Sequence, residues 1–187
     1  MEYYSQQKGT VLLFFDPCHL LHTVVNVRKG QLRVKKGTIT IKSNTGRKRI
    51  NILEALDIEN FSVTTTLTEE TCDSVRVVEF LQKIKEKYPD RKIVVVLDNA
   101  RYNYAIATRA FAEECTILLL FLPPYAPNHN RIERLWKFTK KRLVNNPYHE
   151  DFTQFVNATD SFFNNLGDYH QELSSLFTKK LKIVHAE

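Results

Sequence analysis

The sequence has few cysteines, and their positions do not indicate a disulfide framework or a structural zinc site. Cys18, Cys72 and Cys115 are odd in number, lie far apart and form no CxxC pair. This pattern is typical of reduced thiols in a cytoplasmic protein. At 187 residues, the chain is long enough to bury a substantial core without such staples.

Long apolar runs are also missing from the sequence. No stretch approaches the roughly 18 apolar residues that span a bilayer, and the N-terminus MEYYSQQKGT lacks the apolar core and cleavage site of a signal peptide. We therefore expect no membrane partner. The sequence contains neither a GxxxxGK[ST] phosphate loop nor a GxGxxG turn, so we also expect no nucleotide cofactor.

Acidic residues are scarce in two segments of this basic chain, whose net charge is +6 and whose pI is about 9.2. Residues 28–50 contain nine Lys or Arg and no acid, and residues 131–142 contain six basic residues and one acid, Glu133. Concentrated positive charge favours a polyanion such as DNA, because binding releases counterions. A solvated hairpin and a solvated helix face explain the same charges equally well.

Apolar runs and turn residues predict an α/β fold with a mixed sheet. An antiparallel meander followed by βαβ units, with helices on both faces, is the order of the ribonuclease H-like fold. Right-handed crossovers would place the strand at 92–97 beside the strand at 10–15. We expect residues 1–150 to form this core and residues 151–187 to form a helical extension packed on it. Strands are predicted at 10–15, within 31–67 as two or three antiparallel strands, at 92–97 and at 116–122; helices are predicted at 74–88, 104–113 and 132–143.

Three carboxylates follow the predicted strands at points that suggest a shared site. Asp16 and Asp98 end two strongly apolar strands, and Glu133 lies in the first turn of the helix after the next strand. Ligands of α/β sheets collect at the carboxyl ends of strands. Converging carboxylates repel one another unless cations neutralise them, and Mg²⁺ and Mn²⁺ prefer oxygen ligands. Two such ions can activate the attacking oxygen and stabilise the leaving oxygen in phosphoryl transfer.

Each of these acids also has a purely structural explanation. Asp16 and Asp98 both fit turns, and Glu133 fits an i, i+4 ion pair with Lys137. Only the joint arrangement of the three residues favours a metal site.

Two segments, VVLDNARYN and LPPYAPNHNRIERLWKFTKK, resemble the catalytic domain of DDE transposases of the mariner superfamily, in its bacterial insertion-sequence branch. The 34 residues between Asp98 and Glu133 are a spacing typical of that superfamily. FFDPCHLLH resembles its first-aspartate segment, with Asp16, His19 and His22 on a D-x-x-H-x-x-H pattern, and KKGTITIKSNTGRKRINI resembles its hairpin. The resemblance covers residues 11–184.

This resemblance implies a ribonuclease H-like fold and metal-dependent cutting and joining of DNA. Asp16, Asp98 and Glu133 would be the catalytic triad that binds two divalent ions, Mg²⁺ or Mn²⁺. Water would attack a phosphodiester and release a 3′-hydroxyl, which then attacks target DNA by in-line transesterification. The implied partners are transposon-end DNA, target DNA and a second copy of the chain, in a homodimer acting in the cytoplasm at the nucleoid.

The chain departs from the family's usual pattern outside the triad. The family often has His and Gly where this chain has Asn103 and Glu54, and commonly Ser, Leu and Pro where it has Ala126, His129 and Arg131. A nuclease that only hydrolyses and a catalytically inactive DNA-binding remnant are therefore alternatives. Family members carry a helix-turn-helix region before the catalytic domain, whereas this chain starts close to the first catalytic strand. We expect it to bind DNA with little sequence preference.

Other polar residues in these motifs are candidates for support of the site or for DNA contacts. His19 and His22 can bind a transition metal, but orienting hydrogen bonds fit a hard-metal site better. Asn99 can line the site or cap the next helix, and we expect a supporting role. Trp136 is predicted to be core, and Cys18 lacks a base partner that would make it a nucleophile. The candidate phosphate contacts are Arg47, Lys48, Arg49, Arg134, Lys137, Lys140 and Lys141.

Overall fold

The computed structural model describes residues 4, 7, 9–23, 42, 44–57, 59–123, 130–145 and 147–177. Most of the predicted basic hairpin, the proline-rich loop at 124–129, which includes Ala126 and His129, and residues 178–187 lie outside the described residues.

A six-stranded mixed sheet organises the described residues. β1 pairs in parallel with β5, and β5 pairs in parallel with β6. β3 is antiparallel to β1, β2 and β4. The predicted pairing of the strands at 10–15 and 92–97 is therefore confirmed. The strands are β1 (Thr10–Phe15), β2 (Cys18–Leu21), β3 (Arg49–Asp57), β4 (Ser62–Thr68), β5 (Lys92–Leu97) and β6 (Ile117–Phe121).

The strand β2 was not predicted, because Pro17 was expected to end the ladder. β1 and β2 pair with β3 in the same antiparallel register, so they act as one strand interrupted at Asp16-Pro17. The Asp16 N–H donates to the Glu54 carbonyl at 3.1 Å. Successive backbone N–H groups of a strand point alternately to its two neighbouring strands. Because the Asp16 N–H points to β3, the nitrogen of Pro17 points to the other side, where β5 has already ended. The proline removes no hydrogen bond to β3, and pairing resumes at Cys18.

Helices cover both faces of this sheet and mostly match their predicted bounds. Asp73 caps the first helix, and its side chain accepts from the Arg76 N–H. Val75, near the start of this helix, is 58% exposed, because the buried stripe runs through Val77 instead. The helices are α1 (Ser74–Lys87), α2 (Ile106–Glu114), α3 (Ile132–Leu143), α4 (Phe152–Asn164) and α5 (His170–Phe177), with 3₁₀ turns at Arg101–Tyr104 and Leu166–Tyr169.

Strand alternation divides the core into one cluster on each face of the sheet. Leu13 and Phe15 pack with α1 and α2, whereas Leu12 and Phe14 pack with α3, α4 and α5. The predicted apolar stripe of α3 is fully confirmed, since all its members are buried: Ile132, Leu135, Trp136, Thr139 and Leu143. No helix in the described part of the chain is long and apolar enough to cross a bilayer.

Candidate active site

Asp16 and Asp98 lie side by side at the carboxyl ends of β1 and β5. The parallel register runs from Thr10 opposite Lys92 to Phe14 opposite Val96, and two more residues bring it to this pair of aspartates. Phe14 and Val96 both belong to the cluster under α3. The Asp16 carboxylate lies on the α3 face of the sheet, because it lines a cleft together with Glu133 and Trp136 of α3.

The Asp98 carboxylate is held by the backbone N–H of Ala100 and by the side chain of Asn103. Its Oδ1 accepts from the Ala100 N–H at 3.1 Å and from Asn103 Nδ2 at 2.8 Å. Asn103 Nδ2 also lies 3.3 Å from the Asp98 carbonyl oxygen, and the Asn103 side chain is fully buried. These contacts fix the orientation of the Asp98 carboxylate. Sequence reasoning missed this role of Asn103, for which the only signal is an amide five residues after the aspartate.

Glu133 is placed by the start of α3. Asn130, which is buried, accepts the Glu133 N–H on its carbonyl at 3.3 Å, and its Oδ1 accepts the Ile132 N–H at 3.4 Å. A carboxylate in the first turn of a helix is favoured by the helix dipole. The i, i+4 ion pair with Lys137, which was the structural alternative for Glu133, is absent from the salt bridges of the described residues.

A cleft of about 370 Å³ opens between the β1–β2 break and α3. Asp16 and Glu133 are both part of its wall, whereas Asp98 does not line it and acts on Asp16 through its charge. Two exposed cations of α3, Lys137 and Lys140, line the same cleft. The full set of lining residues is Asp16, Pro17, Cys18, His19, Glu133, Trp136, Lys137 and Lys140.

The three acids interact electrostatically at Asp16. Burial, together with the charges of Asp98 and Glu133, raises the pKa of Asp16 from 3.8 to about 7. Trp136 and Lys140 oppose this rise. The indole N–H of Trp136 is close enough to favour the carboxylate, but its Nε1 does not reach hydrogen-bonding geometry with any acceptor among the described residues. The ionised form of Asp16 is therefore not fully compensated by its neighbours.

A fourth carboxyl, Glu54, lies against Asp16 on the neighbouring strand. The antiparallel register places the two residues opposite each other, and the Glu54 side chain is 0% exposed. Burial, followed by the charge of Asp16, raises the pKa of Glu54 well above its ordinary value. In the sequence, Glu54 differs from its neighbours only as a departure from a family pattern, because nothing there shows which polar residues of β3 are buried.

The three predicted supporting residues lie in different environments. His19 is exposed and lines the cleft. His22 is buried away from it, where Nε2 lies 3.0 Å from the His149 carbonyl oxygen and the ring stacks on Phe155 at 5.4 Å. Asn99 does not cap the next helix; its Nδ2 donates to the Leu122 carbonyl at 2.8 Å, which joins the ends of β5 and β6.

The candidate DNA contacts fall into three groups. Lys137 and Lys140 line the cleft, and Lys141 is exposed beside them. Arg134 is instead directed to the C-terminal helix, where its Nη1 donates to the Leu176 carbonyl at 2.9 Å. At the start of β3, Arg47, Lys48 and Arg49 are all exposed.

The donor chemistry of this edge fits a hard divalent cation. Asp16, Asp98, Glu133 and Glu54 supply only carboxylate oxygens, and the ionised form of Asp16 bears negative charge that its neighbours do not fully compensate, which is what Mg²⁺ or Mn²⁺ requires. In this conformation, no three His, Cys, Asp or Glu side chains of the described residues close around a single ion position. Cys18, which also lines the cleft, is a poor alternative ligand, since burial raises the pKa of its thiol to about 11.

The strand order and the acidic sheet edge define a ribonuclease H-like domain of the kind found in DDE enzymes. The sequence profile of the DDE superfamily endonucleases matches residues 11–156. The chain belongs to the DDE superfamily endonuclease family. The predicted fold and family are thereby confirmed.

Solved structures show the same fold in another DDE protein. The chain resembles the Mos1 mariner paired-end complex with Mn, with a TM-score of 0.68 and 16% identity over 94% of this chain and 55% of that one. It also resembles the catalytic domain of Mos1 mariner transposase, with a TM-score of 0.59 and 12% identity over 93% of this chain and 85% of that domain. The chain thus spans slightly more than half the length of the longer Mos1 chain.

One curated protein is similar to this chain in sequence. The protein named uncharacterized protein y4pE/y4sA, from Sinorhizobium fredii (strain NBRC 101917 / NGR234), is 27% identical over 106 residues, which is 56% of this chain and 76% of the relative. Its name assigns no activity.

Proposed function

We propose that the chain is the catalytic domain of a DDE transposase, which cuts DNA at the ends of an insertion sequence and joins those ends to target DNA with the help of divalent metal ions. The observation that carries this proposal is the register-equivalent position of Asp16 and Asp98 on adjacent parallel strands, with Glu133 on the helix above. Membership of the DDE superfamily endonucleases supports an enzyme that cleaves DNA.

Asp16, Asp98 and Glu133 are the residues that would hold the metal ions. Bound there, two Mg²⁺ or Mn²⁺ ions would activate the attacking oxygen and stabilise the leaving oxygen of a phosphodiester. Solved Mos1 complexes with Mn and with Mg support this choice of metals. Asn103 keeps the Asp98 carboxylate oriented, and Asn130 fixes the helix start that carries Glu133.

The proposed reaction has two steps. In the first, a water oxygen bonds to phosphorus while the bond from phosphorus to the 3′ oxygen breaks, which leaves a 3′-hydroxyl and a 5′-phosphate. In the second, the oxygen of this 3′-hydroxyl bonds to a target phosphorus, and the 3′ oxygen of the target strand leaves and takes up a proton. A solved Mos1 strand transfer complex supports the second step.

DNA would lie along the cleft beside α3. Lys137 and Lys140 line the cleft next to the acids, so they would contact the phosphates that flank the scissile bond. Lys141 and the exposed cations Arg47, Lys48 and Arg49 would contact more distant phosphates. Contacts of this kind position the backbone without reading sequence, which agrees with the expected low sequence preference.

The wider assembly of the protein is part of the same proposal. Joining two element ends requires at least two active sites, so we expect a homodimer in the reacting complex, which would act on DNA in the cytoplasm. Residues 1–150 would form the catalytic core and residues 151–187 the extension packed on it. Phe155 and Phe177 support the packing of this extension on the core, because both lie in the same hydrophobic cluster as Phe14 of β1.

A strand-transfer assay tests the proposed function. The substrate is a labelled duplex with the terminal sequence that flanks the gene, already cut to expose a 3′-hydroxyl, mixed with supercoiled plasmid and Mn²⁺. We expect the label to become covalently joined to plasmid DNA. The same duplex with a 3′-deoxy end is the matched control and must not be joined. Nicks without joining would indicate an enzyme that only hydrolyses, and DNA binding with neither product would indicate an inactive remnant.

A further inference from the structure

The position of Glu54 in the sheet is unusual for a carboxyl group. It lies in the middle of β3, on the face where its neighbours two residues away, Ile52 and Leu56, are both fully buried core residues. The Glu54 side chain is 0% exposed, and neither of its carboxyl oxygens has a hydrogen-bond partner among the described residues.

Burial of such a group without a partner is unfavourable. An unpartnered polar group loses its hydrogen bonds to water on burial, and an ionised group loses more solvation free energy still. An aliphatic side chain would continue the core pattern of Ile52 and Leu56 without this penalty. Packing of β3 therefore does not explain the glutamate.

The surroundings of Glu54 connect it to the cleft. The Asp16 N–H donates to the Glu54 carbonyl at 3.1 Å, so the two side chains project from directly opposite positions onto the same face. Directly opposite residues of antiparallel strands have Cβ atoms about 4.5–5.5 Å apart. Asp98 continues this row on the other side of Asp16. The registers thus place Glu54, Asp16 and Asp98 at successive positions across β3, β1 and β5, and Glu133 of α3 lines the cleft with Asp16.

We propose that Glu54 is a fourth carboxylate ligand of the metal centre and shares a divalent cation with Asp16. This inference rests on the proposed function, because it requires Asp16 to bind metal. A cation between the two strands would give the oxygens of Glu54 the partner that the described protein groups do not provide. Glu54 would thereby strengthen metal binding at the Asp16 side of the site without contacting DNA.

The inference predicts opposite effects of Glu54→Gln on metal-free stability and on metal binding. Titration of the protein with Mn²⁺, followed by calorimetry and by the electron paramagnetic resonance signal of free Mn²⁺, gives the affinity without any assay of activity. We expect Glu54→Gln to weaken Mn²⁺ binding at least tenfold and to reduce the rise in Tm that saturating Mn²⁺ causes. Without metal, the variant should be at least as stable as the wild type, because a neutral amide replaces a buried acid.

Matched variants separate this role from a packing effect. Glu54→Leu, which continues the aliphatic pattern of β3, should fold and show the same loss of Mn²⁺ affinity. Glu113→Gln, on the exposed surface of α2, should bind Mn²⁺ like the wild type. Wild-type affinity in both Glu54 variants would overturn the inference and leave the proposed function intact. A wild-type protein that binds no Mn²⁺ would overturn both.

Discussion

Asn103 donates a 2.8 Å hydrogen bond from Nδ2 to Oδ1 of Asp98, although the 3₁₀ turn that carries Asn103 is itself outside the cleft. The bond connects a fully buried amide to a carboxylate just after the end of β5, which lies between β1 and β6. Asn103 therefore acts as a positioning residue, since it fixes a group that would bind metal without touching metal or DNA.

Asn103→Ala should impair the metal dependence of the enzyme as well as its stability. Loss of a hydrogen bond to a carboxylate costs about 1.5–3 kcal/mol, and a reoriented Asp98 should raise the Mn²⁺ concentration that gives half-maximal DNA nicking. Asn51→Ala is the matched control, because Asn51 is also buried and donates to the Glu70 carbonyl at 2.7 Å, away from the cleft. If both variants lose stability and neither changes the Mn²⁺ dependence, Asn103 has only a structural role.

The metal-free protein should lose stability as the pH rises towards neutrality. The pKa of Asp16 is about 7 in the folded protein and near 3.8 when the chain is unfolded, so the folded state binds more protons between these values. Stability falls with pH wherever the folded state binds more protons. The contribution of Asp16 to the free energy of unfolding is fully present below about pH 4 and is lost as the pH rises through about 7.

Asp16→Asn should weaken this pH dependence, and urea unfolding in EDTA at pH 5 and pH 8 measures it. The free energy of unfolding should fall less between the two pH values in the variant than in the wild type. Some dependence should remain, because burial also raises the pKa of Glu54. Asp90→Asn, at an exposed position after α1, should behave like the wild type. Equal pH dependence in Asp16→Asn and the wild type would contradict the electrostatic account of Asp16.

Lys140 should contribute to DNA affinity through a phosphate contact. Lys140→Gln should weaken binding of a short duplex and reduce the slope of log K against log salt by about 0.9, the value for one phosphate contact. Fluorescence anisotropy in EDTA, at several salt concentrations, measures both quantities. Lys85→Gln, on the opposite face of the sheet, removes the same charge from α1 and should leave the slope unchanged. The cleft is not the DNA path if the two variants show the same slope.

Phe155 should be essential for the stability of the core, because it connects the C-terminal helices to the sheet. Its side chain is fully buried and contacts the rings of His22 and His149 at 5.4 and 5.3 Å. Phe155→Ala should lower the free energy of unfolding by about 3–5 kcal/mol, whereas Tyr148→Ala, at a side chain that is 44% exposed, should change it by about 0.5 kcal/mol or less. Urea denaturation distinguishes these outcomes. A small effect of Phe155→Ala would show that the C-terminal helices fold separately from the core.

The strands that carry the acids were predictable because their sequences are unambiguous. KIVVVL has five consecutive apolar residues, so it reads as a strand covered on both faces, and its parallel pairing with TVLLFF follows from the handedness of the crossover. The bounds of α3 also agree with its apolar spacing. These elements together predict that Asp16, Asp98 and Glu133 lie at one edge of the sheet.

Features that depend on register were beyond the reach of the sequence. Three of the four polar residues of RINILEALD are buried, and no periodicity distinguishes Glu54 from the other two, Asn51 and Asp57. In the sequence, Pro17 suggests the end of a strand. Only the direction of the hydrogen bonds shows that its nitrogen faces away from β3, where no hydrogen bond to β3 is lost. The role of Asn103 likewise depends on the 3₁₀ turn that returns its amide to Asp98.

Nicking of supercoiled plasmid in Mn²⁺ tests the central claim most directly, with the wild type compared with Asp98→Asn and with Asp90→Asn as the matched exposed control. The account predicts that the wild type and Asp90→Asn nick the plasmid only when Mn²⁺ is present. Asp98→Asn should reduce the rate by at least a hundredfold, while circular dichroism shows that it remains folded. Equal rates of Mn²⁺-dependent nicking by Asp98→Asn and the wild type would contradict the claim that this row of carboxylates is the active site.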